Sequence, residues 1–437
     1  MRDAIVVGGG LSGLIVGAEL KRRGKDVLVL EATGEPGGVA SSVQEDGYLL
    51  EPGAGSLLWP NADLAPVFDA AGIELLAADP AAGARFVYQN GTLFQIPASP
   101  AIAFSRLVSW RAKFRAVREP WVKTPPPGED ESIEGFFSRR FGNGVGVLGS
   151  TLMAHGVFAG DPAKLSMRGA FPKMVALEDE AGSMIRGMLA RMRQREKGAK
   201  RASVHVPPRG MKGVADDLAA YLGESFQANR RVTGLRKSGT GWIVEAGDTF
   251  EADNAVLALA PHIAAGLVPG DVATLMADAA VAPVAVVGIG GRAADVPIPA
   301  GFGALIGPDA DVRVLGILME SQYAPGRAPA LHHLAKGIYG GGADPEVLAL
   351  SDDELVALMI DETSRVIGTR VQPSWTKVVR HDPGIPQYNV GHVAWMRRLD
   401  DAVANHPGLH LAGWGYRGIG VSGFGTEAAR IGNALGG

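Results

Sequence analysis

Ala4-Ile5-Val6-Val7-Gly8-Gly9-Gly10-Leu11-Ser12-Gly13 opens the chain with an apolar strand that runs straight into a glycine-rich turn. Leu11, Leu14, Ile15 and Ala18 then recur at helical spacing, Gly24 ends the helix, and Val27-Leu28-Val29-Leu30 reads as a second apolar strand closing at Glu31. Strand, turn, helix and strand within about 30 residues make a βαβ unit. The turn fits G-x-G-x-x-G, a pattern that also occurs at Gly144, Gly413 and Gly418. The first occurrence differs by context: it follows a strand, opens a helix, and has Glu31 after the next strand, 18 residues beyond Gly13. There the glycines let backbone approach a pyrophosphate seated on the helix N-terminus, and the Glu31 carboxylate can accept hydrogen bonds from ribose hydroxyls.

Composition narrows what surrounds this unit. A chain of 437 residues, 46% of them hydrophobic, buries a large core and is expected to form two or three domains. Its 61 glycines are about twice the usual ~7% and carry no collagen period, so many tight turns and close backbone approaches are expected. A net charge of −4 gives no overall drive toward nucleic acid. The absence of cysteine excludes disulfides, a thiolate nucleophile, Cys-ligated zinc and a flavin attached through sulfur. Met1-Arg2-Asp3 runs into a strand without a signal-peptide profile, and no run of 18 uncharged apolar residues exists, so a cytoplasmic protein without a spanning helix is expected.

A second glycine pair, Glu35-Pro36-Gly37-Gly38-Val39, lets a loop pass close to a bound dinucleotide. Nicotinamide-only dehydrogenases have no particular need of it. Together with Gly413-Trp414-Gly415-Tyr416-Arg417-Gly418-Ile419-Gly420-Val421, it favours FAD lying across two distant parts of the chain, bound non-covalently. Other chemistries lack their motifs. There is no G-x-S-x-G, no GxxxxGK[ST] loop and no H-E-x-x-H, so neither a serine nucleophile nor a metal site is expected.

Further stretches carry a resemblance. Arg85-Phe86-Val87-Tyr88 with Gly91 and Pro97, then Gly156-Val157-Phe158-Ala159-Gly160-Asp161 with Leu165-Ser166 and Phe171-Pro172, precede Gly301-Phe302-Gly303. Ile385-Pro386-Gln387-Tyr388-Asn389 with Gly391-His392, and Tyr416 to Val421, complete the series. In order and spacing the chain resembles, nearly end to end, the FAD-dependent protoporphyrinogen oxidases within the monoamine-oxidase-like flavoprotein group. The resemblance implies oxidation of protoporphyrinogen IX to protoporphyrin IX, six electrons leaving in three flavin cycles with dioxygen as acceptor. Arg85 would pair with a tetrapyrrole propionate, a planar fork that lysine could not copy. Phe302 and Leu305 would clamp pyrrole rings, Ile338 would add an apolar ring contact, and Gly156 would keep backbone close to the substrate. On the cofactor side it implies Gly8, Gly10, Leu11, Ser12 and Gly13 with Glu31; Gly37, Gly38 and Val39; Val232 at the adenine end; and Trp414, Gly418, Ile419, Gly420 and Val421, the last four under the flavin ring. No residue demands the part of catalytic acid or base.

The chain departs from that pattern at Ser422-Gly423-Phe424, where the family reads Asn-Asp-Cys, at His155, where it often has arginine, and around Ile338. These positions border the pocket, so they touch substrate identity rather than fold. Coproporphyrinogen III is the first rival substrate, and an amine oxidase or desaturase on a lipophilic molecule is the second. A non-catalytic flavin or porphyrin carrier is the rival from another class.

The fold expected is α/β: a Rossmann-type FAD-binding domain from 1–75, 205–262 and 406–437, a mixed α+β substrate domain from 76–98 and 263–405, and a helical insertion over 99–204. Within that insertion, 104–123 interleaves Arg106, Arg111, Lys113, Arg115, Arg118 and Lys123 with Trp110, Phe114 and Trp121. Residues 183–201 place Met184, Ile185, Met188, Leu189 and Met192 on one face, against Arg186, Arg191, Arg193, Arg195, Lys197, Lys200 and Arg201. Reversible contact with an anionic membrane surface and an ordinary solvated helix are both open for these segments. Homodimer formation is also open.

Overall fold

The computed structural model describes residues 1–96, 107–126, 128–194 and 202–436. Pro97, Phe104, Arg106, Arg195, Lys197, Lys200 and Arg201 lie outside the described residues.

The opening strand β1 (Arg2–Val7), the helix α1 (Leu11–Arg22) and β2 (Val27–Leu30) form the expected unit. β1 sits centrally in a seven-stranded sheet, parallel to β2 on one side and to the strand Asp248–Leu257 on the other. Ile5 pairs with both Leu28 and Ala255. The strands read as unbroken apolar runs because both faces are covered. Ala4 and Val6 point into a core shared with Leu14, Leu218 and Ile431, whereas Ile5 and Val7 face Trp242, Met276, Trp395 and Leu399. The C-terminal strand Leu409–Leu411 joins the same sheet beside Ala255–Leu257.

The pattern after the last glycine-rich turn reads as a helix from about Thr426, whereas the terminal helix starts at Val421. Gly423 and Gly425 weaken helix propensity and so hide the first turn from a sequence reading. Packing explains the second glycine, since a Cβ at Gly425 would lie 2.8 Å from Leu64 Cγ.

A second seven-stranded sheet runs in the order Trp375–Pro386, Val281–Arg292, His332–Gly340, Gly316–Leu318, Gly303–Ile306, Arg85–Gln89, Thr92–Ile96. One face packs on the helix Asp352–Ile367 through Ala285, Val287, Ala335, Leu355 and Met359. Ser351 followed three residues later by Glu354 spells a capping box in the sequence, and both of its bonds open this helix. Registry puts Arg85, Gly303, Leu318, Lys336 and Gly288 in one row of the opposite face, and Leu305, Gly316, Ile338 and Val286 in the next. The strand Tyr48–Leu50 lies directly on this face, where a Cβ at Gly288 would meet Leu50 at 2.9 Å.

Helices Ile133–Phe141, Asn143–Phe158 and Pro172–Ala181 gather around Ile133, Phe136, Phe158, Leu165 and Met167, with Tyr388 entering from the second sheet. The helix Met184–Gln194 follows the last of these. Among the described residues no helix is long and apolar enough to cross a membrane.

The strand Leu409–Leu411 makes acid stability testable. Burial, with the charge of Arg430, depresses the His410 pKa from about 6.5 to about 4, while its Nε2 meets Asn254 Oδ1 at 3.1 Å. The folded state therefore holds a neutral imidazole that the unfolded chain would protonate first. Stability should be full above pH 6.5 and fall as pH drops from there toward 4. Thermal unfolding across that window should show a falling Tm, and His410→Gln should flatten the fall. An unchanged slope would remove His410 from the titration.

Candidate active site

The turn between β1 and α1 is packed so tightly that a Cβ at Gly13 would lie 1.9 Å from the Gly8 carbonyl oxygen. Gly8 itself takes φ +107° and donates to Leu30 O at 2.8 Å, which ties the turn to β2. Gly10 caps α1 with no side-chain acceptor, so the N–H groups of the first turn point outward with the positive end of the helix dipole. Among the described residues Ser12 Oγ, buried there, has no hydrogen-bond partner. A Cβ on Gly10 would find nothing closer than Gly37 O at 3.9 Å. Open donors, an orphaned hydroxyl and free space fit a pyrophosphate.

Glu31 does more than the sequence reading asks of it. One carboxylate oxygen accepts from Gly9 N at 2.7 Å, and the other from Thr33 N at 2.8 Å and Thr33 Oγ1 at 2.9 Å. It thus braces the turn from inside, with lone pairs left for ribose hydroxyls. Gly37 donates to Gly9 O at 2.8 Å, and Gly38, at φ +59°, stacks on Gly10. Val39 stands beside them, 47% exposed. Arg230 N donates to the Glu31 backbone carbonyl at 2.7 Å, so the segment leading to half-buried Val232 runs past the same residue.

The C-terminal loop closes the other side. A Cβ at Gly413 would lie 3.8 Å from Ser12 Oγ, which sets this loop at the mouth of α1. Tyr388, whose role sequence reasoning missed, holds it. Its hydroxyl donates to Trp414 O and accepts from Gly418 N at 2.9 Å. Its ring stacks on His392 at 3.9 Å, and His392 Nε2 donates to Tyr416 O at 3.0 Å. Burial raises the Tyr388 pKa and lowers that of His392, keeping both neutral and fit for these bonds. Ile419 is half-buried and Gly418 exposed. Gly420 caps the helix Val421–Ala434 without a side-chain acceptor, a second uncapped N-terminus beside the first. The motif at 385–392 carried the signal, but its partner at 414–418 is named only by the fold.

On the second sheet, Arg85 pairs in register with Gly303, and its guanidinium lies 5.3 Å from the Phe302 ring. Phe302 stacks on Tyr323 at 4.4 Å. Among the described residues Arg85 makes no ion pair. Gly156 abuts Leu305, where a Cβ would meet Leu305 Cδ2 at 3.1 Å. Ile338 packs with Ala159, Val284 and Leu315. Arg85, Phe302, Leu305 and Gly156 therefore share one side of the sheet, with Ile338 deeper against the end of the helix Asn143–Phe158. His155 adds a buried Nδ1 that has no partner among the described residues, its pKa lowered by burial and pulled back by Asp161.

A βαβ dinucleotide turn met by a distant glycine loop, with a sheet face that carries an exposed guanidinium, fits a flavin-dependent oxidoreductase. The chain belongs to the flavin containing amine oxidoreductase family, whose signature spans residues 11–423. It is an FAD-dependent oxidase. The human protoporphyrinogen oxidase is 30% identical over 96% of this chain and 95% of its own length. The coproporphyrinogen III oxidase of Bacillus subtilis (strain 168) is 25% identical over 96% and 95%. A crystal structure from Exiguobacterium sp. 255-15, provisionally named a protoporphyrinogen oxidase, superposes with a TM-score of 0.82 at 20% identity, covering 99% of this chain and 98% of that one. This last likeness establishes the fold.

Tyr388→Phe should leave the fold intact and free the loop at 414–418. Leaving a buried carbonyl unsatisfied costs about 1–3 kcal/mol, so FAD affinity should fall about 5- to 150-fold. Flavin fluorescence titration of the apoprotein checks this, and a wild-type Kd would clear Tyr388 of any part in holding the cofactor.

Proposed function

We propose that the protein oxidises protoporphyrinogen IX to protoporphyrin IX. The observation that carries this reading is the Arg85 guanidinium, exposed over Phe302 at the margin of the face that bears Leu305 and Ile338. A flat, largely apolar macrocycle with carboxylate arms matches that pairing of greasy face and fork-shaped cation. FAD, held between the Gly8–Gly13 turn with Glu31 and the loop at 413–420, would supply the two-electron acceptor for hydride from a ring carbon, with dioxygen as the final oxidant. This chain's residues bind and orient: Arg85 holds a propionate, Phe302 and Leu305 flank the rings, and Gly156 admits the ring close to backbone. No side chain is assigned as acid or base.

Coproporphyrinogen III is the second reading, favoured by the name of the Bacillus relative. It brings two more carboxylates. Supplying each porphyrinogen to the holoenzyme and following porphyrin fluorescence decides between them. The expected result is faster turnover of the protoporphyrin precursor. Turnover of neither, with an amine oxidised instead, would sink the reading.

Arg85→Ala should raise apparent KM for the porphyrinogen about 10- to 150-fold, since a charge-assisted contact contributes about 1.5–3 kcal/mol. FAD content and kcat should change little if ground and transition states share the contact. An unchanged KM would take Arg85 out of the pocket.

We also propose that the protein, cytoplasmic in its working state, touches an anionic membrane reversibly. The helix Trp110–Val117 is turned inside out: Trp110, Phe114 and Val117 are 69%, 74% and 66% exposed, while Arg115 points inward to the Arg139 carbonyl at 3.0 Å and the Arg140 carbonyl at 3.3 Å. Trp121, Met188, Leu189 and Met192 are exposed as well. The buried Glu119 carboxylate ties the two regions, accepting from Ser183 Oγ and from Met184 N at 2.9 Å. Aromatics seat at an interface, and each nearby basic residue adds about 1 kcal/mol of salt-screened attraction. The protein should co-sediment with anionic vesicles at low salt and far less at high salt, and Phe114→Ser/Trp121→Ser should abolish pelleting. Indifference to anionic vesicles at low salt would reduce both helices to ordinary surface.

A further inference from the structure

Four charged side chains are buried together where the two sheets meet, and neither the cofactor turn nor the substrate face accounts for them. They are Glu51, Glu320, Arg327 and Lys336, each no more than 2% exposed. Lys336 lies on the face of the second sheet that carries Leu305 and Ile338, in the row of Arg85 and Gly303. Its ammonium does not reach into open space. It meets Glu320 Oε1 at 2.8 Å, donates to Glu51 O, and donates to Gly53 O at 3.2 Å. Arg327 meets Glu51 Oε1 at 2.9 Å and Gly55 O at 3.4 Å. Glu51 N in turn donates to Glu320 Oε2 at 3.2 Å.

Three successive odd-numbered carbonyls of one loop, at 51, 53 and 55, are therefore gripped by two buried cations from the substrate side. The other end of the network reaches the cofactor side. Glu51 Oε1 accepts from Met211 N at 2.9 Å, at the start of the helix Gly210–Leu222, which shares a core with α1. Glu51 Oε2 accepts from Ser42 Oγ at 3.0 Å. Gly53 lies so close to the Gly37–Val39 turn that a Cβ on it would stand 3.3 Å from Val39 O, and Gly38 stacks on Gly10. The loop 51–55 is thus the layer behind the glycine turn that flanks the cofactor.

A stabilising role alone does not account for this arrangement. Burying two ion pairs is seldom a gain over apolar packing, because desolvation offsets the attraction. What the pairs supply is a fixed position for a loop that has no strand partner over these residues. We propose that Lys336, paired with Glu320, is a positioning residue for FAD: it fixes the loop 51–55 from the substrate sheet, and through that loop sets the Gly37–Val39 turn against Gly10. The inference rests on the cofactor and not on which porphyrinogen is oxidised.

The test separates position from stability. Lys336→Met leaves Glu320 buried without its cation and should lower Tm sharply. The double variant Lys336→Met/Glu320→Met removes both charges together and should recover most of that Tm, yet the carbonyls of Glu51 and Gly53 stay ungripped. Apoprotein of the double variant should bind FAD at least tenfold more weakly than the wild type in a fluorescence titration. Amide hydrogen exchange over 51–56 should speed up at least tenfold in the apoprotein, where no turnover enters the reading. Lys336→Arg, which keeps charge and donors, should restore both. A double variant with wild-type FAD Kd and wild-type exchange over 51–56 would overturn the proposal, as would loss of folding in both the single and the double variant, which would mark the network as structural only.

Discussion

The contact of Gly13 with the Gly8 carbonyl governs the cofactor half of this protein. No atom beyond a hydrogen fits between them, so α1 starts directly on the end of β1, and its first N–H groups have one direction to point. Everything around that point serves the same opening. Glu31 braces the turn from within, Gly37 and Gly38 line one side, and the loop from Gly413 lines the other. Among the described residues the buried Ser12 hydroxyl has no hydrogen-bond partner, which leaves it open to a ligand group at this turn.

The second sheet and the segments that flank its strands close that opening from two directions. Tyr388 and His392 reach the C-terminal loop through neutral hydrogen bonds, and burial keeps both groups in the protonation state those bonds need. Lys336 and Arg327 reach the loop 51–55 with charge. The proposed substrate face and the dinucleotide turn are in this way mechanically continuous. A flavoenzyme needs the donor carbon and the acceptor ring held to fractions of an ångström, and continuity of this kind limits their relative motion.

The helices contribute a different constraint. Asn143–Phe158 carries Gly156 over Leu305 and so narrows the face that holds Arg85. The outer helix Trp110–Val117 instead faces its aromatic stripe away from the protein, the reverse of the usual surface helix. Buried Glu119 and Arg140 hold this region together from below, so the outer face is free to be apolar.

How much could be read without coordinates follows from the range of the interactions involved. The βαβ unit, Glu31, the Gly37–Gly38 pair and the capping box at Ser351 all declare themselves within a few dozen residues, because glycine conformation, helix capping and apolar periodicity are local properties. The start of the last helix did not, since Gly425 is there for Leu64, far away in the chain. The direction of the Trp110 stripe was equally hidden, for a period of 3.6 tells which residues share a face and not where that face points. Motif order marked 385–392 as important, but nothing in those residues says that Tyr388 holds Trp414 and Gly418. Lys336 gave no signal at all, its contact with Glu51 spanning 285 positions. The sequence by itself determined a flavin-binding α/β chain, with its dinucleotide turn and the candidate faces of its pocket. Only the tertiary structure decided which buried charges and hydroxyls lock those faces together, because such contacts depend on two distant segments arriving at one place, and neither segment encodes the other's position.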